Sequence, residues 1–300
     1  MKIAFFWTWE FSKNILKYIV ESSDIEVDVV ISQPDKPVWR KKILTFTPVK
    51  LYANEKWLKI FQPTFLKDNN CFFDKIKWYD FIIVVAYWKI VPKEVLEAPK
   101  YWCINIHGSI LPKYRWASPI QEAIKNWNKE TWLTIMYMSK WMDEWDILAI
   151  KRINIDKLDK TENIFKKFEE IWPKLLIDTL WWILNWTIKW QKQDENKATY
   201  CSKISKEDWK VNFNTDNWIQ IFNKYKAYYN WPWIFIYYNN KKLNLENIEI
   251  IDNNSESNNI WKTIKIDKKN IWIICKDKKI IILKQIKLEW KKSMDILSFI

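Results

Sequence analysis

The chain has 300 residues, 49% of them hydrophobic, and carries a formal net charge of +13 with a pI near 9.3. That length holds one large or two ordinary domains with ample apolar side chains for a core. It shows neither a signal-like leader nor an apolar run near the ~18 residues of a membrane span, so we expect a soluble, cytoplasmic protein.

Lys2 to Phe6 reads as a first buried strand, followed by the turn Trp7-Thr8-Trp9 and a helix from Ser12 to about Ser22. Ile15, Leu16, Ile19 and Val20 form the apolar face of that helix. Ile25 to Ile31 reads as a second strand. Gln33 to Lys42 is a proline-stiffened loop that carries Lys36, Arg40, Lys41 and Lys42. A solvated loop would explain it, but charges on a stiff loop lose little entropy on docking, which suits an arm that contacts phosphates. The overall charge does not decide between these, because a chain crowded with Lys, Ile and Asn is also what AT-rich coding produces. A helix follows from about Pro48 to Glu55. Phe81 to Ala86 is the most apolar strand, and Tyr87 stands where the chain turns out of it toward Pro92. A strand from Cys103 to Ile106, a helix from Pro119 to about Asn126, a strand from Leu133 to Met138 and a helix from Thr161 to about Leu184 complete this part. Strands alternating with helices imply an α/β, Rossmann-like parallel sheet covered on both faces. Ligands on such sheets bind at the carboxyl ends of the strands, where Tyr87 and His107 both fall.

Gln191 to Ala198 is polar and aperiodic and reads as a linker. Beyond it the texture changes. Strand-like runs at Ile234–Tyr238, Leu243–Ile251, Ile264–Ile266, Ile271–Cys275 and Ile280–Leu288, with one helix around Trp218 to Tyr225, read as a small β-barrel of the OB kind. Its many lysines would follow a phosphate backbone or simply keep the barrel in solution. The expected division is a first domain over 1–189, a linker over 190–204 and a barrel over 205–300. Cys71, Cys103, Cys201 and Cys275 are far apart with no paired spacing, which argues for reduced thiols and against a disulfide frame or a zinc site.

The chain contains 24 tryptophans and a single glycine. At the usual ~7% glycine, a chain of this length should hold about 21. The tryptophans stand where glycine belongs: Trp7 and Trp9 after the first strand, Trp127, Trp141 and Trp145 in turn-like stretches, Trp186 at the end of a helix pattern. A bulky residue at positive φ costs about 1–2 kcal/mol. Roughly twenty such positions would exceed a total stability of about 5–15 kcal/mol. We therefore expect that the source decodes UGA as glycine and that most of these residues are glycine in the native protein, with Trp231, beside Pro232, kept as genuine.

The stretch from Cys103 to Arg115 holds the lone histidine and the lone written glycine, Gly108. Asn105 and His107 are two apart, so on an extended strand their side chains leave from the same face. Gly108 is suited to a positive φ that releases the chain into a loop. An amide and an imidazole side by side at a strand end can hold a carbonyl as it is attacked; a core histidine satisfied by a neighbouring carbonyl is the plain alternative. Further on, Met142-Asp143-Glu144-Trp145-Asp146 gathers three acids. No His or Cys accompanies them to fix a ligand set, and no metal is expected.

With glycine at the suspect positions, residues 102–117 read Gly-Cys-Ile-Asn-Ile-His-Gly-Ser-Ile-Leu-Pro-Lys-Tyr-Arg-Gly-Ala, and the chain closely resembles the folate-dependent formyltransferases. The likeness extends to Gln33–Arg40, Val84–Pro92, Leu133–Leu148 and Tyr229–Trp233, where Asn230 replaces a proline of the family pattern. It is greatest to the members that formylate methionyl-initiator tRNA. The resemblance implies that Asn105, His107 and Asp143 are the catalytic trio. It also implies a folate site at Ser109, Ile110, Leu111 and Pro112, to which Tyr87 is added from the neighbouring strand end. The co-substrate would be 10-formyltetrahydrofolate. The acceptor would be initiator methionyl-tRNA, held by the C-terminal barrel and by Lys36, Arg40, Lys41 and Lys42, with the protein acting as a monomer. His107 and Asn105 would donate to the formyl oxygen as it gains charge. Asp143, if it lies near His107, would favour the protonated ring and take up the amine's proton through water. An amino-sugar or glycinamide ribonucleotide formyltransferase, or a tRNA-binding homologue without activity, are the alternatives; the intact trio argues against the last. Ile300 falls inside an apolar-periodic segment, earlier than family members usually end, so a truncated C-terminus is expected.

Overall fold

The computed structural model describes all residues except 8–9, 23, 39–42, 67–71, 73, 75, 86, 88–90, 140–142, 255–262, 268–269 and 300. In chain order its elements are β1 (Lys2–Trp7), α1 (Glu10–Glu21), β2 (Glu26–Ser32), β3 (Lys36–Val38), β4 (Ile43–Thr45), α2 (Pro48–Glu55), β5 (Lys59–Phe61), β6 (Phe81–Val84), α3 (Lys93–Leu96), β7 (Cys103–His107), β8 (Arg115–Trp116), α4 (Pro119–Lys125), β9 (Glu130–Tyr137), β10 (Ile147–Asn154), α5 (Thr161–Leu184), β11 (Tyr200–Cys201), α6 (Trp218–Ala227), β12 (Phe235–Tyr238), β13 (Lys241–Asn254), β14 (Thr263–Asp267), β15 (Asn270–Ile274), β16 (Lys279–Leu288) and β17 (Met294–Asp295). They gather into two compact units, one of residues 1–116, 131–153 and 165–200, the other of 117–130, 154–164 and 201–300.

The first unit is built on a seven-stranded sheet in the order β10-β9-β7-β6-β1-β2-β5. Its central strands are apolar throughout because both faces are covered: Ile3 to Phe6, Phe81 to Ile83, Cys103 and Ile104 are fully buried. Strands β5, β2, β1, β6 and β7 run parallel, but β9 pairs antiparallel with β7. The sheet is therefore mixed, not wholly parallel as the sequence suggested, because the segment between β7 and β9 makes no crossover to the opposite end of the sheet. Several short elements and one longer strand escaped the sequence reading. Strand β10 follows directly on the acidic motif, and β3 and β4 pair antiparallel with Lys36 opposite Thr45, where a loop was expected over Gln33–Lys42. The base of that pair is anchored by Asp35, whose carboxylate accepts from Lys50 Nζ and from Gln62 Nε2. Burial works against that charge, yet the two donors hold the carboxyl below its ordinary range. Helix α2 begins where Thr47 caps it, its Oγ1 accepting from the Lys50 amide at 3.2 Å, with Pro48 in the first turn.

The second unit carries an antiparallel sheet in the order β12-β13-β16-β15-β14, with β17 on β16. Among the described residues no pairing joins β12 to β14, so the strands make a half-barrel. Alternating residues such as Leu243, Leu245, Ile281, Leu283 and Ile286 fill its inner face. Helix α6 opens on a capping box between Asn217 and Gln220. It is tied to residues the sequence assigned to the first domain: Thr161 Oγ1 donates to Ala227 O at 2.7 Å, and Asn223 Nδ2 to Lys125 O at 3.4 Å. Lys226, buried on α6, spends its ammonium on Lys157 O at 3.0 Å, and burial pushes its pKa down to about 8. Among the described residues no helix is long and apolar enough to cross a membrane.

Thirteen described residues other than glycine have positive φ, and seven of them are tryptophan: Trp57, Trp102, Trp116, Trp127, Trp186, Trp233 and Trp290. Three others are Asn230, Asn239 and Asn240, a residue type that tolerates this region. A tryptophan there is strained by about 1–2 kcal/mol. Burial does not offset the strain, since Trp57, Trp186 and Trp290 are 94%, 85% and 78% exposed. The backbone thus supports glycine at these seven positions. Tandem mass spectrometry of tryptic peptides from the native source is expected to read glycine at all seven; tryptophan at Trp102 and Trp116 in those peptides would end the idea of a reassigned codon.

Candidate active site

Strand β7 lies between β6 and β9, with Val84 beside Asn105 on one side and Met136 beside Asn105 and Thr134 beside His107 on the other. This register carries Asn105 and His107 to the carboxyl end of the parallel strands, on one face of the pleat. Gly108 does not take the positive φ expected of it. The turn falls instead at 111–114, where Tyr114 has φ 61°, and Trp116 just beyond it has φ 82°.

The structure brings the predicted trio together on one carboxylate. Asn105 Nδ2 donates to Asp143 Oδ1 at 3.3 Å, and His107 Nδ1 stands 3.6 Å from Asp143 Oδ2. The amide N–H of Trp116 donates to the same Oδ2 at 2.9 Å. His107 and Asp143 side chains are only 8% and 14% exposed, so these contacts are poorly screened by water. The other ring nitrogen, Nε2, lies 3.0 Å from the carbonyl of Tyr114. A carbonyl can only accept, so Nε2 carries the hydrogen and Nδ1 is the atom turned to Asp143. Asp143 itself has φ 58°; strain at Tyr114 and Asp143 marks the two turns that hold the imidazole.

A second layer was not legible in the sequence. Arg115 is fully buried, and its guanidinium makes a bidentate pair with Glu195, Nη1 to Oε2 at 2.8 Å and Nη2 to Oε1 at 2.7 Å. Nη1 also donates to the Tyr200 hydroxyl at 3.2 Å. Gln193 Oε1 accepts from Nε and Nη2 of Arg115, while its Nε2 donates to Asp143 O at 2.8 Å and Trp145 O at 2.7 Å. Thr199 accepts from the Tyr114 and Arg115 amides through its Oγ1 and its carbonyl, both at 2.9 Å. The segment read as a linker is therefore fastened to the first unit. Its polar, aperiodic composition gave no signal of this, because the partners lie about eighty residues earlier (78 to 85 positions).

The residues expected to contact folate are dispersed over the same sheet end. Ser109 is buried; its hydroxyl donates to Lys113 O and its carbonyl accepts from Thr134 Oγ1, so it ties the turn together. Ile110 is half-buried, and its carbonyl accepts from the Lys113 amide. Leu111 and Pro112 line a cavity of about 570 Å³ together with Ile147, Ile150, Arg152 and Lys192. Tyr87 stacks edge-on against Phe6 and, among the described residues, its buried hydroxyl has no hydrogen-bond partner; burial alone pushes its pKa up to about 12. An unpaired buried hydroxyl is costly unless a partner meets it. Lys36 belongs to β3, whereas Arg40, Lys41 and Lys42 lie outside the described residues. The acids of the 142–146 motif diverge: Asp143 to the trio, Glu144 to 3.7 Å from Arg115. Among the described residues no three potential metal ligands gather. Cys103, at the base of β7, is buried with its thiol directed at Val95 O and its pKa pushed upward by burial, which rules it out as a nucleophile.

These groups converge on one carboxylate at the carboxyl ends of the Rossmann-like sheet, the place where such folds bind their ligands. Two family descriptions fit the chain, Formyl transferase over residues 1–180 and Formyl transferase, C-terminal domain, over 203–300, and the chain belongs to the formyl transferase family. Among its relatives, the methionyl-tRNA formyltransferase of Caldicellulosiruptor saccharolyticus is 40% identical over 303 residues, covering 100% of this chain and 96% of that protein. That of Sulfurimonas denitrificans is 38% identical, with the same coverage of 100% and 96%. The fold is also that of an N-formyltransferase from Helicobacter canadensis, solved in complex with folinic acid and dTDP-3-aminofucose: TM-score 0.66, 17% identity, 94% of this chain and 98% of that one covered.

The Arg115 guanidinium holds the Glu195 carboxyl below its usual range. A carboxyl with a lowered folded value adds stability that is complete above its unfolded value near 4.3 and is lost as pH falls through the folded value. In urea unfolding, Glu195→Gln is therefore expected to be less stable than the parent at pH 7, with the gap closing below about pH 4. A gap independent of pH would show that the ion pair does not fasten this segment.

Proposed function

We propose that this chain transfers the formyl group of 10-formyltetrahydrofolate to the amino group of methionyl-initiator tRNA, for the start of translation. The observation that carries the reading is the convergence of Asn105, His107 and Asp143, in a chain whose full-length relatives are methionyl-tRNA formyltransferases. The amine attacks the formyl carbon, the formyl oxygen gains negative charge, and the bond from carbon to N10 then breaks as N10 takes up a proton. Asn105 gives one amide hydrogen to Asp143 and has a second for the developing oxyanion. His107 Nδ1, when protonated, faces Asp143 at a distance longer than a made hydrogen bond. Its hydrogen is therefore not committed to the carboxylate and can be offered to a formyl oxygen held beside the ring. The Asp143–His107 pair can also receive the proton the amine loses and return it toward N10. Nε2, spent on Tyr114 O, orients the ring and does not take part.

Folate binding is assigned to Tyr87 and to Ser109, Ile110, Leu111 and Pro112. The unpaired Tyr87 hydroxyl supports this assignment. The basic residues Lys36, Arg40, Lys41 and Lys42, and the lysine-rich half-barrel, are assigned to tRNA phosphates. The family matches, 1–180 and 203–300, support a catalytic domain over 1–189 and a tRNA-binding domain over 205–300 joined by 190–204. We place the enzyme in the cytoplasm, as a monomer.

Protein made from a gene with glycine restored is expected to formylate methionyl-tRNA and to leave glycinamide ribonucleotide untouched. His107→Ala or Asp143→Asn should lower turnover by about 10²–10³ with tRNA affinity unchanged; near-parental turnover in both would sink the mechanism. Replacing Arg40, Lys41 and Lys42 together by alanine should flatten the dependence of log affinity on log salt by up to about 1 for each phosphate that is no longer neutralised. An unaltered slope would show that these three residues do not touch the tRNA.

A further inference from the structure

Gln193 is the residue that the catalytic reading leaves unexplained. Its side-chain amide has two hydrogens and one oxygen, and all of them are used. The hydrogens go to the carbonyls of Asp143 and Trp145, at 2.8 and 2.7 Å, and the oxygen accepts from Nε and Nη2 of Arg115, at 3.2 and 2.9 Å. Such saturation fixes the amide one way round, because the reverse would set its oxygen against two carbonyls and its hydrogens against a guanidinium. The result is a closed circuit. Residues on either side of Arg115 grip the catalytic groups directly, Tyr114 through its carbonyl on His107 and Trp116 through its amide on the Asp143 carboxylate. Arg115 itself reaches the main chain of Asp143 through Gln193.

We propose that Gln193 is a positioning residue for formyl transfer, locking the turn that bears Asp143 to the Arg115–Glu195 pair so that the carboxylate meets Asn105 and His107. The proposal rests on Asp143 being catalytic, and it assigns Gln193 no contact with either substrate. The need for such a lock follows from the backbone. Asp143 sits at φ 58°, a conformation that its own residue type only tolerates, and its carboxylate must stay within a fraction of an ångström of its station. A misplacement of about 1 Å can cost about 10²-fold in rate. Gln193→Glu tests the lock selectively. It keeps an oxygen for Arg115 and replaces the donor by a second oxygen facing two carbonyls, which pushes the Asp143 turn away and leaves the guanidinium paired.

The experiment is a double-mutant cycle on the glycine-restored enzyme, with kcat and KM measured for both substrates and folding checked by thermal unfolding. Gln193→Glu is expected to lower kcat about tenfold or more with KM for folate and for tRNA changed by less than about threefold. In an Asp143→Asn background the same substitution should cause no further loss, because the group it positions is already disabled. Gln193→Met, which keeps the length without either polar end, is carried through the same cycle in case the charged variant does not fold. A parental kcat in the single variants, or an equal loss with and without Asp143, would overturn the assignment. If Asp143→Asn alone turns over at the parental rate, the catalytic reading falls first and the role of Gln193 goes with it.

Discussion

The two carboxylate oxygens of Asp143 are where separate stretches of the first unit meet. One accepts from Asn105 at the end of a central strand; the other accepts from the Trp116 amide and faces His107. The His107 and Asp143 side chains are largely buried, and a buried polar group without a partner is costly. The charge on Asp143 therefore does two things at once. It accepts from a side-chain amide and a main-chain donor, and it faces the imidazole at the end of the sheet. Its local field is strong because its surroundings are low in water, which is the same reason that its removal would leave several groups unpaired.

The parts of this arrangement that could be read from the chain are those with short-range signatures. The apolar runs Lys2–Phe6 and Phe81–Val84 announce strands covered on both faces, and the helix over Thr161–Leu184 falls where its periodicity places it. The spacing of two between Asn105 and His107 puts both on one face of β7 as expected. What the chain did not announce depends on pairing at a distance. The reversal of β9 against β7 is a matter of which end of the sheet the chain returns to, and no local pattern encodes it. Gln193 and Glu195 are ordinary polar residues in an aperiodic stretch; their importance comes from a guanidinium far back in the chain that has been buried completely. The β3–β4 pairing was hidden by its brevity and by Pro37, which argues against a strand unless the strand lies at an edge.

The tryptophans bear on the site less than their number suggests. Trp116 and Trp145 enter the hydrogen-bond circuit through a main-chain N–H and a main-chain carbonyl, which glycine supplies equally well. The indole of Trp116 lies against the Tyr200 ring, 5.1 Å between centroids, outside the set of atoms that hold Asp143. Glycine at 102 and 116 would relieve positive φ of 77° and 82° without removing one of the described polar contacts of the trio. The polar contacts among Asn105, His107 and Asp143 are thus nearly independent of whether residues 102 and 116 are tryptophan or glycine.

Sequence separation imposes an order on how the site becomes complete. The sheet's central pairings use residues no later than Asp143, but the contacts that fasten the turn at 111–114, Arg115 and the Asp143 main chain span 50 to 85 residues. Closing such long loops costs entropy that only the finished contacts offset. The strands can therefore associate before residues 193–200 arrive, with His107 and Asn105 already at the sheet end and Asp143 still without its main-chain anchor. The segment that supplies these contacts contributes no strand to the seven-stranded sheet. A chain that has formed the sheet but not the Gln193 contacts would hold Asn105 and His107 at the sheet end and lack the main-chain support of the Asp143 turn.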